Sequence, residues 1–197
     1  MNVTRIAART ILIGLLAVSG IQQAAATVTQ NGAEFPRQIM LNEQSLTLSG
    51  TGIVRYRIVF IVYAAGLYLP DGTTSDAVLA NQTPRRLEIE YFHTISADDI
   101  ILAANTKLAE QRSPEELKAL QPSIDAFHAL FQSVEKGDRY RMDYIPGVGT
   151  QLSFNGEPVG TVAGADFAAI YFGIWLDNQS PLSKPLREDL LEGTMPR

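Results

Sequence analysis

The chain has 197 residues, with 16 basic and 21 acidic side chains and no cysteine. The lack of cysteine excludes thiol catalysis, thiolate metal sites and disulfide bonds. The acidic balance argues against nucleic acid or an anionic membrane surface as the main partner. The two histidines, His93 and His128, lack the spacing of a metal site, and no nucleophile elbow or phosphate-binding glycine loop is present. The sequence therefore predicts no metal and no cofactor.

Residues 1–26 have the pattern of a secretory signal peptide. Arg5 and Arg9 supply a positive start, residues 11–21 form an apolar run too short to span a bilayer, and small residues precede a cleavage point after Ala26. Cleavage leaves residues 27–197 as one domain, whose 14 basic and 21 acidic residues give a net charge near −7. We expect this domain to be periplasmic or secreted, with no transmembrane segment.

The first part of the domain is predicted to be rich in strands. Residues 27–34 are polar and predict an exposed lead-in, and residues 38–41 and 45–48 predict two short strands. Residues 53–69 are rich in β-branched and aromatic side chains and predict one long strand, with or without a bulge. A turn follows, and residues 75–80 predict a short helix.

The long strand carries the first candidate site. Side chains alternate along an unbroken strand, so Arg55, Arg57 and Tyr63 share one face. A buried arginine requires an anionic or hydrogen-bonding partner, which is either another residue or a ligand. Arg55 and Tyr63 are therefore the candidate ligand-binding pair, whereas Arg57 fits a structural ion pair equally well.

Residues 86–94 alternate clearly and predict a half-buried strand. Its apolar face holds Leu87, Ile89, Tyr91 and His93. Two interpretations of His93 stay open: a histidine of the core or rim, or a residue that lines a pocket together with Tyr91.

Two helices follow. Ser96, followed by Asp98 and Asp99, predicts the start of a helix that extends to about Gln111. Ser113 begins a second helix with a proline in its first turn and Glu116 placed for a capping box. Its apolar stripe predicts an end near Gly137.

The last part returns to strands and then to helices. Residues 138–145, 150–154 and 157–162 predict an antiparallel meander with a hairpin turn at Asn155. Residues 166–176 predict an apolar helix, in which Trp175 is interpreted as core, and residues 184–192 predict a final helix. This order predicts an α+β domain with helices on one face of a large antiparallel sheet.

Several segments together resemble one known family. They are EFP at residues 34–36, LTLSGTGIVR at residues 46–55, YAAGLYL at residues 63–69, DFA at residues 166–168 and IWL at residues 174–176. In this order they resemble the exported bacterial branch of the chalcone isomerase-like proteins. The resemblance implies an open-faced β-sandwich, in which a layer of helices covers the antiparallel sheet and a ligand cleft lies between them.

The resemblance also implies roles for two residues. Arg55 matches an arginine that stabilises the attacking phenolate in plant chalcone isomerases, and Tyr63 stands where those enzymes have a threonine. The fatty-acid-binding relatives pair the arginine with a tyrosine to hold a carboxylate. In the plant isomerases a Tyr, a Lys and an Asn line the cleft at the start of a helix. The matching residues 96–103, SADDIILA, contain none of these three residue types.

Three functions follow from these residues. The first is non-catalytic binding of a fatty acid or similar amphipathic anion by Arg55 and Tyr63, with Arg57, Tyr91 and His93 as further ligand-binding candidates. The second is an isomerase, in which Arg55 and Tyr63 are the catalytic residues that cyclise a chalcone-like enone by conjugate addition. The third is an interaction module without a small ligand. The sequence specifies neither the ligand, nor the partner, nor the oligomeric state.

Overall fold

The computed structural model describes residues 26–56 and 60–195, which form nine strands and four helices. The strands are β1 (Thr27–Gln30), β2 (Ala33–Pro36), β3 (Gln38–Leu41), β4 (Gln44–Tyr56), β5 (Phe60–Leu69), β6 (Arg85–Tyr91), β7 (Arg139–Ile145), β8 (Gly149–Phe154) and β9 (Glu157–Val162). The helices are α1 (Ala97–Gln111), α2 (Pro114–His128), α3 (Ala165–Leu176) and α4 (Lys184–Leu190). Within the described residues, no helix has the length and apolar character needed to cross a membrane.

Strands β3 to β9 form one seven-stranded antiparallel sheet in which each strand pairs with its neighbours in the sequence. Strands β1 and β2 form a separate hairpin. Helices α1 and α2 lie in the connection between β6 and β7, and α3 and α4 follow β9. The predicted α+β class, with an antiparallel sheet and a layer of helices, is confirmed.

The prediction of one long strand over residues 53–69 is wrong. Strand β4 ends at Tyr56, β5 begins at Phe60, and the two pair antiparallel with Val54 opposite Tyr63. A register shift between Val54 and Arg55 then places Arg55 opposite Ile61. β-branched and aromatic residues occupy the ends of both strands, so the sequence contains no turn residue to mark the boundary.

Three further boundaries differ from prediction. The lead-in at residues 27–34 forms β1 and the start of β2, which are joined by a two-residue turn at Asn31 and Gly32 with φ angles of +51° and +92°. Residues 75–80 form turns and no helix. Helix α2 ends at His128 rather than near Gly137, and Val134 instead bridges to Ile95.

The predicted helix starts are confirmed. Ser96 Oγ accepts a hydrogen bond from the Asp99 amide at the start of α1. At α2, Ser113 Oγ accepts from the Glu116 amide, and the Glu116 carboxylate accepts from the Ser113 amide, which is the predicted capping box. These reciprocal bonds satisfy amides that the first helical turn leaves free.

The sheet separates two apolar clusters. The larger cluster lies between the sheet and the helices, and the smaller lies on the opposite face around Phe35 and Tyr68. Along β6, Leu87 and Ile89 face the larger cluster, while Glu88 and Glu90 form ion pairs with Arg139 outside it. This alternation gives the helix-facing side of the sheet an apolar floor.

Candidate ligand-binding cavity

A cavity of about 210 Å³ lies between the sheet and the helical layer. Its apolar wall includes Val54, Leu87, Ile89, Ile100, Met142 and Ile174. These residues come from β4, β6, β7, α1 and α3, so the cavity opens in the middle of the larger apolar cluster. Enclosure by apolar side chains with a few polar groups is typical of small-molecule sites.

Tyr63 and Trp175 form a polar contact in this wall. The indole Nε1–H of Trp175 on α3 donates a hydrogen bond of 2.8 Å to the hydroxyl oxygen of Tyr63 on β5. Burial raises the pKa of Tyr63 well above its ordinary value, so the phenol keeps its proton. Since the oxygen already accepts from Trp175, the hydroxyl proton is available to an acceptor in the cavity.

Three more tyrosines surround the same space. The Tyr91 ring meets Tyr63 edge-on, with ring centroids 5.6 Å apart, and it meets Tyr140 at 6.3 Å. The Tyr140 hydroxyl accepts from the Gln132 amide at 2.6 Å and donates to the Gln132 carbonyl at 3.0 Å. The Tyr171 hydroxyl is buried and has no hydrogen-bond partner among the described residues. Burial raises the pKa of Tyr91 and Tyr171, so both phenols are neutral.

Among the described residues that line the cavity, one is charged, and it is a carboxylate. Asp99 on α1 lines the cavity, is exposed, and accepts a hydrogen bond of 2.6 Å from Ser96 Oγ. Among the described residues that line the cavity, none is Lys, Arg or His. The described part of the chain also holds no cluster of His, Asp and Glu suited to a metal ion.

The structure brings some of the predicted residues together and separates others. Tyr63 and Tyr91 are both buried in the cavity wall and touch each other. Arg55 is exposed on β4, next to Val54, and His93 is exposed beyond the end of β6, where its ring lies 6.3 Å from that of Phe60. Arg57 lies outside the described residues. The role of each in ligand binding stays a prediction.

The sequence interpretation missed the contribution of α3 to this site. Trp175 was interpreted as core alone, yet it also donates the hydrogen bond that orients Tyr63. Tyr171, Ile174 and Trp175 are three and four residues apart on α3, and this spacing places them on one helix face. That spacing is the signal that would have marked an aromatic, partly polar wall.

Comparison with known proteins gives a family and a fold. The family model described as chalcone isomerase-like matches residues 26–192. No curated protein matches the chain. Among solved structures, the chain is similar to the fatty-acid binding protein AtFAP1 of Arabidopsis thaliana, with a TM-score of 0.67 and 15% identity over 85% of this chain and 96% of that chain. At this identity the likeness shows the fold.

Proposed function

The chain belongs to the chalcone isomerase-like family, and on that premise we propose that it is a non-catalytic binding protein for a small amphipathic molecule of the fatty-acid class. The observation that carries the proposal is the apolar cavity between sheet and helices, with the Tyr63 hydroxyl held in its wall by Trp175. The fold shared with a protein described as fatty-acid binding supports the same class of ligand.

Burial of the apolar part of the ligand supplies the favourable free energy. A cavity of 210 Å³ has room for about seven water-sized groups at roughly 30 Å³ each. If each is a methylene, burial contributes about 0.8 kcal/mol per group, or about 6 kcal/mol in total. The loss of translational and rotational freedom opposes part of this. A chain longer than the cavity would extend past its more exposed residues, Asp99 and Leu182.

Tyr63 fixes the position of the ligand's oxygen in this proposal. Its hydroxyl donates to that oxygen while Trp175 holds the hydroxyl in place. The carboxylate clamp expected from the sequence, in which Arg55 acts with Tyr63, stays a prediction. Arg55 is exposed and is not among the residues that line the cavity.

The isomerase alternative has less support. Ring closure by a phenolate requires a group that stabilises the negative oxygen. The described cavity wall offers no cation for this task, and the Asp99 carboxylate would repel the phenolate. A cyclisation assay with a chalcone is therefore a suitable negative control, expected to give the uncatalysed rate.

Native mass spectrometry with lipid extraction of the purified chain tests the binding function. Ala104 is buried in the cavity wall on α1, whereas Ala109 is exposed on the same helix. We expect wild type and Ala109→Leu to carry or take up an acyl compound, and Ala104→Leu to lose it because leucine fills the cavity. A wild type that stays empty when offered acyl compounds, or equal binding by both variants, would refute the proposal.

A further inference from the structure

The cavity wall contains hydrogen-bond donors that are neutral. Tyr63 has its oxygen occupied by the Trp175 N–H, so it faces a ligand as a donor. Tyr91 is 6% exposed, lines the cavity, and no hydrogen bond joins its hydroxyl to another described residue. The two rings touch edge-on, so the two phenols lie in the same region of the wall.

Among its described residues, the same wall has no positive charge that could neutralise an anion. None of the described lining residues is cationic. Arg55, which follows the lining residue Val54 on β4, is exposed to solvent. An ionised carboxylate loses its hydration when it enters an apolar cavity, and without a paired cation that loss is costly. Hydrogen bonds from neutral phenols replace only part of that hydration.

The charged group that the described lining contributes, Asp99, opposes an anion. Asp99 lies on α1 within the lining, and its carboxylate is held by Ser96. A ligand carboxylate that approached from this side would meet a like charge. An uncharged head group experiences neither this repulsion nor the desolvation cost of an ion.

We infer that the bound ligand has an uncharged oxygen head group, such as an alcohol, ester or ketone, which accepts hydrogen bonds from Tyr63 and Tyr91 while its chain occupies the apolar cavity. The inference rests on the proposed binding function and replaces the carboxylate of its ligand with an uncharged head group. It differs from the carboxylate clamp, because Arg55 takes no part in it.

Isothermal titration calorimetry with three ligands of one chain length tests the inference. The ligands are sodium dodecanoate, methyl dodecanoate and dodecanol, each titrated into the full chain at pH 8, where dodecanoate is ionised. We expect the ester and the alcohol to bind at least about tenfold more tightly than dodecanoate, which corresponds to about 1.4 kcal/mol.

Two variants separate head-group recognition from simple hydrophobicity. Tyr63→Phe is expected to weaken the ester and the alcohol by about three- to tenfold, the value of one hydrogen bond. Arg55→Ala is expected to leave all three affinities unchanged, because Arg55 is exposed. Circular dichroism and the melting temperature report whether Tyr63→Phe folds; if it does not, tightest binding of dodecanoate by wild type still overturns the inference.

The outcomes distinguish the two claims. Dodecanoate binding most tightly, with that preference lost in Arg55→Ala, would overturn the uncharged head group and restore the clamp, while the binding function would stand. No binding of any of the three ligands would refute the binding function itself. An ester preference that Tyr63→Phe leaves intact would show that hydrophobicity alone decides, and would also overturn the inference.

Discussion

At the scale of single residues, the buried tyrosine hydroxyls differ in how well they are satisfied. Tyr140 both accepts from and donates to the Gln132 backbone, whereas the Tyr171 hydroxyl is buried with no partner among the described residues. A buried polar group without a partner costs about 1–3 kcal/mol of stability, so its removal is neutral or favourable.

We predict that Tyr171→Phe leaves the free energy of unfolding unchanged or raises it by about 1 kcal/mol. The matched variant Tyr140→Phe should lower it by about 1–3 kcal/mol, because the two backbone groups of Gln132 lose their partner. Urea denaturation of both variants provides the comparison. A larger loss of stability in Tyr171→Phe than in Tyr140→Phe would contradict the assignment.

The same residues predict a pH dependence. Burial raises the native pKa of Tyr63, Tyr91 and Tyr171 above the value of about 10 that an unfolded chain has. Above pH 10 the unfolded state therefore releases protons that the folded state retains, and the free energy of unfolding falls as pH rises. Below pH 10 this contribution is fully present.

Urea denaturation between pH 8 and pH 11 measures that effect. We expect the free energy of unfolding to be constant near pH 8 and to fall steeply above pH 10. The fall should be shallower in Tyr171→Phe, because this variant has one buried phenol fewer that keeps its proton in the folded state. Identical slopes for wild type and variant above pH 10 would show that Tyr171 ionises in the folded state.

At the scale of elements, α4 lies directly on the backbone of β4. A Cβ atom on Gly50 would lie 1.9 Å from the Asp189 carbonyl oxygen, and the Gly193 amide donates to the Ser49 carbonyl at 2.8 Å. The strand has a register shift between Leu48 and Gly50 at this place. The C-terminal helix therefore requires glycine in the strand that it covers.

We predict that Gly50→Ala lowers the free energy of unfolding by about 3 kcal/mol or more, because two backbones must separate. The control is Gly147→Ala, at a turn with φ of +78° and open space around it, where left-handed strain costs about 1–2 kcal/mol. Equal losses in both variants, measured by urea denaturation, would contradict the close contact between α4 and β4.

Local signals predicted many of the elements, and the errors lie where such a signal is absent or was missed. The caps at Ser96 and Ser113 and the hairpin at Asn155 depend on residues near in sequence, and all three were predicted. The boundary between β4 and β5 has no turn residue to mark it. The β1–β2 hairpin turns at Asn31 and Gly32, both at positive φ, a local Asn-Gly signal that the sequence interpretation missed.

The wrong boundary between β4 and β5 also limited what the sequence could predict of the site. Tyr63 and Tyr91 were named separately as ligand-binding candidates, and both lie in the cavity wall, where their role in binding stays a prediction. Arg55 was placed beside Tyr63 by counting along one strand, and the hairpin with its register shift invalidates that count. The contribution of Trp175 requires α3 to pack on β5, a contact between distant segments.

At the scale of the whole molecule, residues 1–26 are predicted to be a signal peptide that is cleaved from an exported domain. The family match begins at residue 26, beside the predicted cleavage point after Ala26. We predict that the chain, expressed in a bacterial host, is recovered outside the cytoplasm with Thr27 as its first residue. N-terminal sequencing of the exported fraction measures this, and an intact Met1 on protein retained in the cytoplasm would contradict it.

The central claim is that the cavity between sheet and helices binds an apolar chain beside Tyr63. The chain contains one tryptophan, Trp175, and it lines this cavity. The most direct measurement is therefore titration of the protein with dodecanol while Trp175 fluorescence is recorded, in wild type, Ala104→Leu and Ala109→Leu. We predict a saturable change in emission at one ligand per chain in wild type and Ala109→Leu, and no change in Ala104→Leu. Constant emission in wild type throughout the titration would contradict the account.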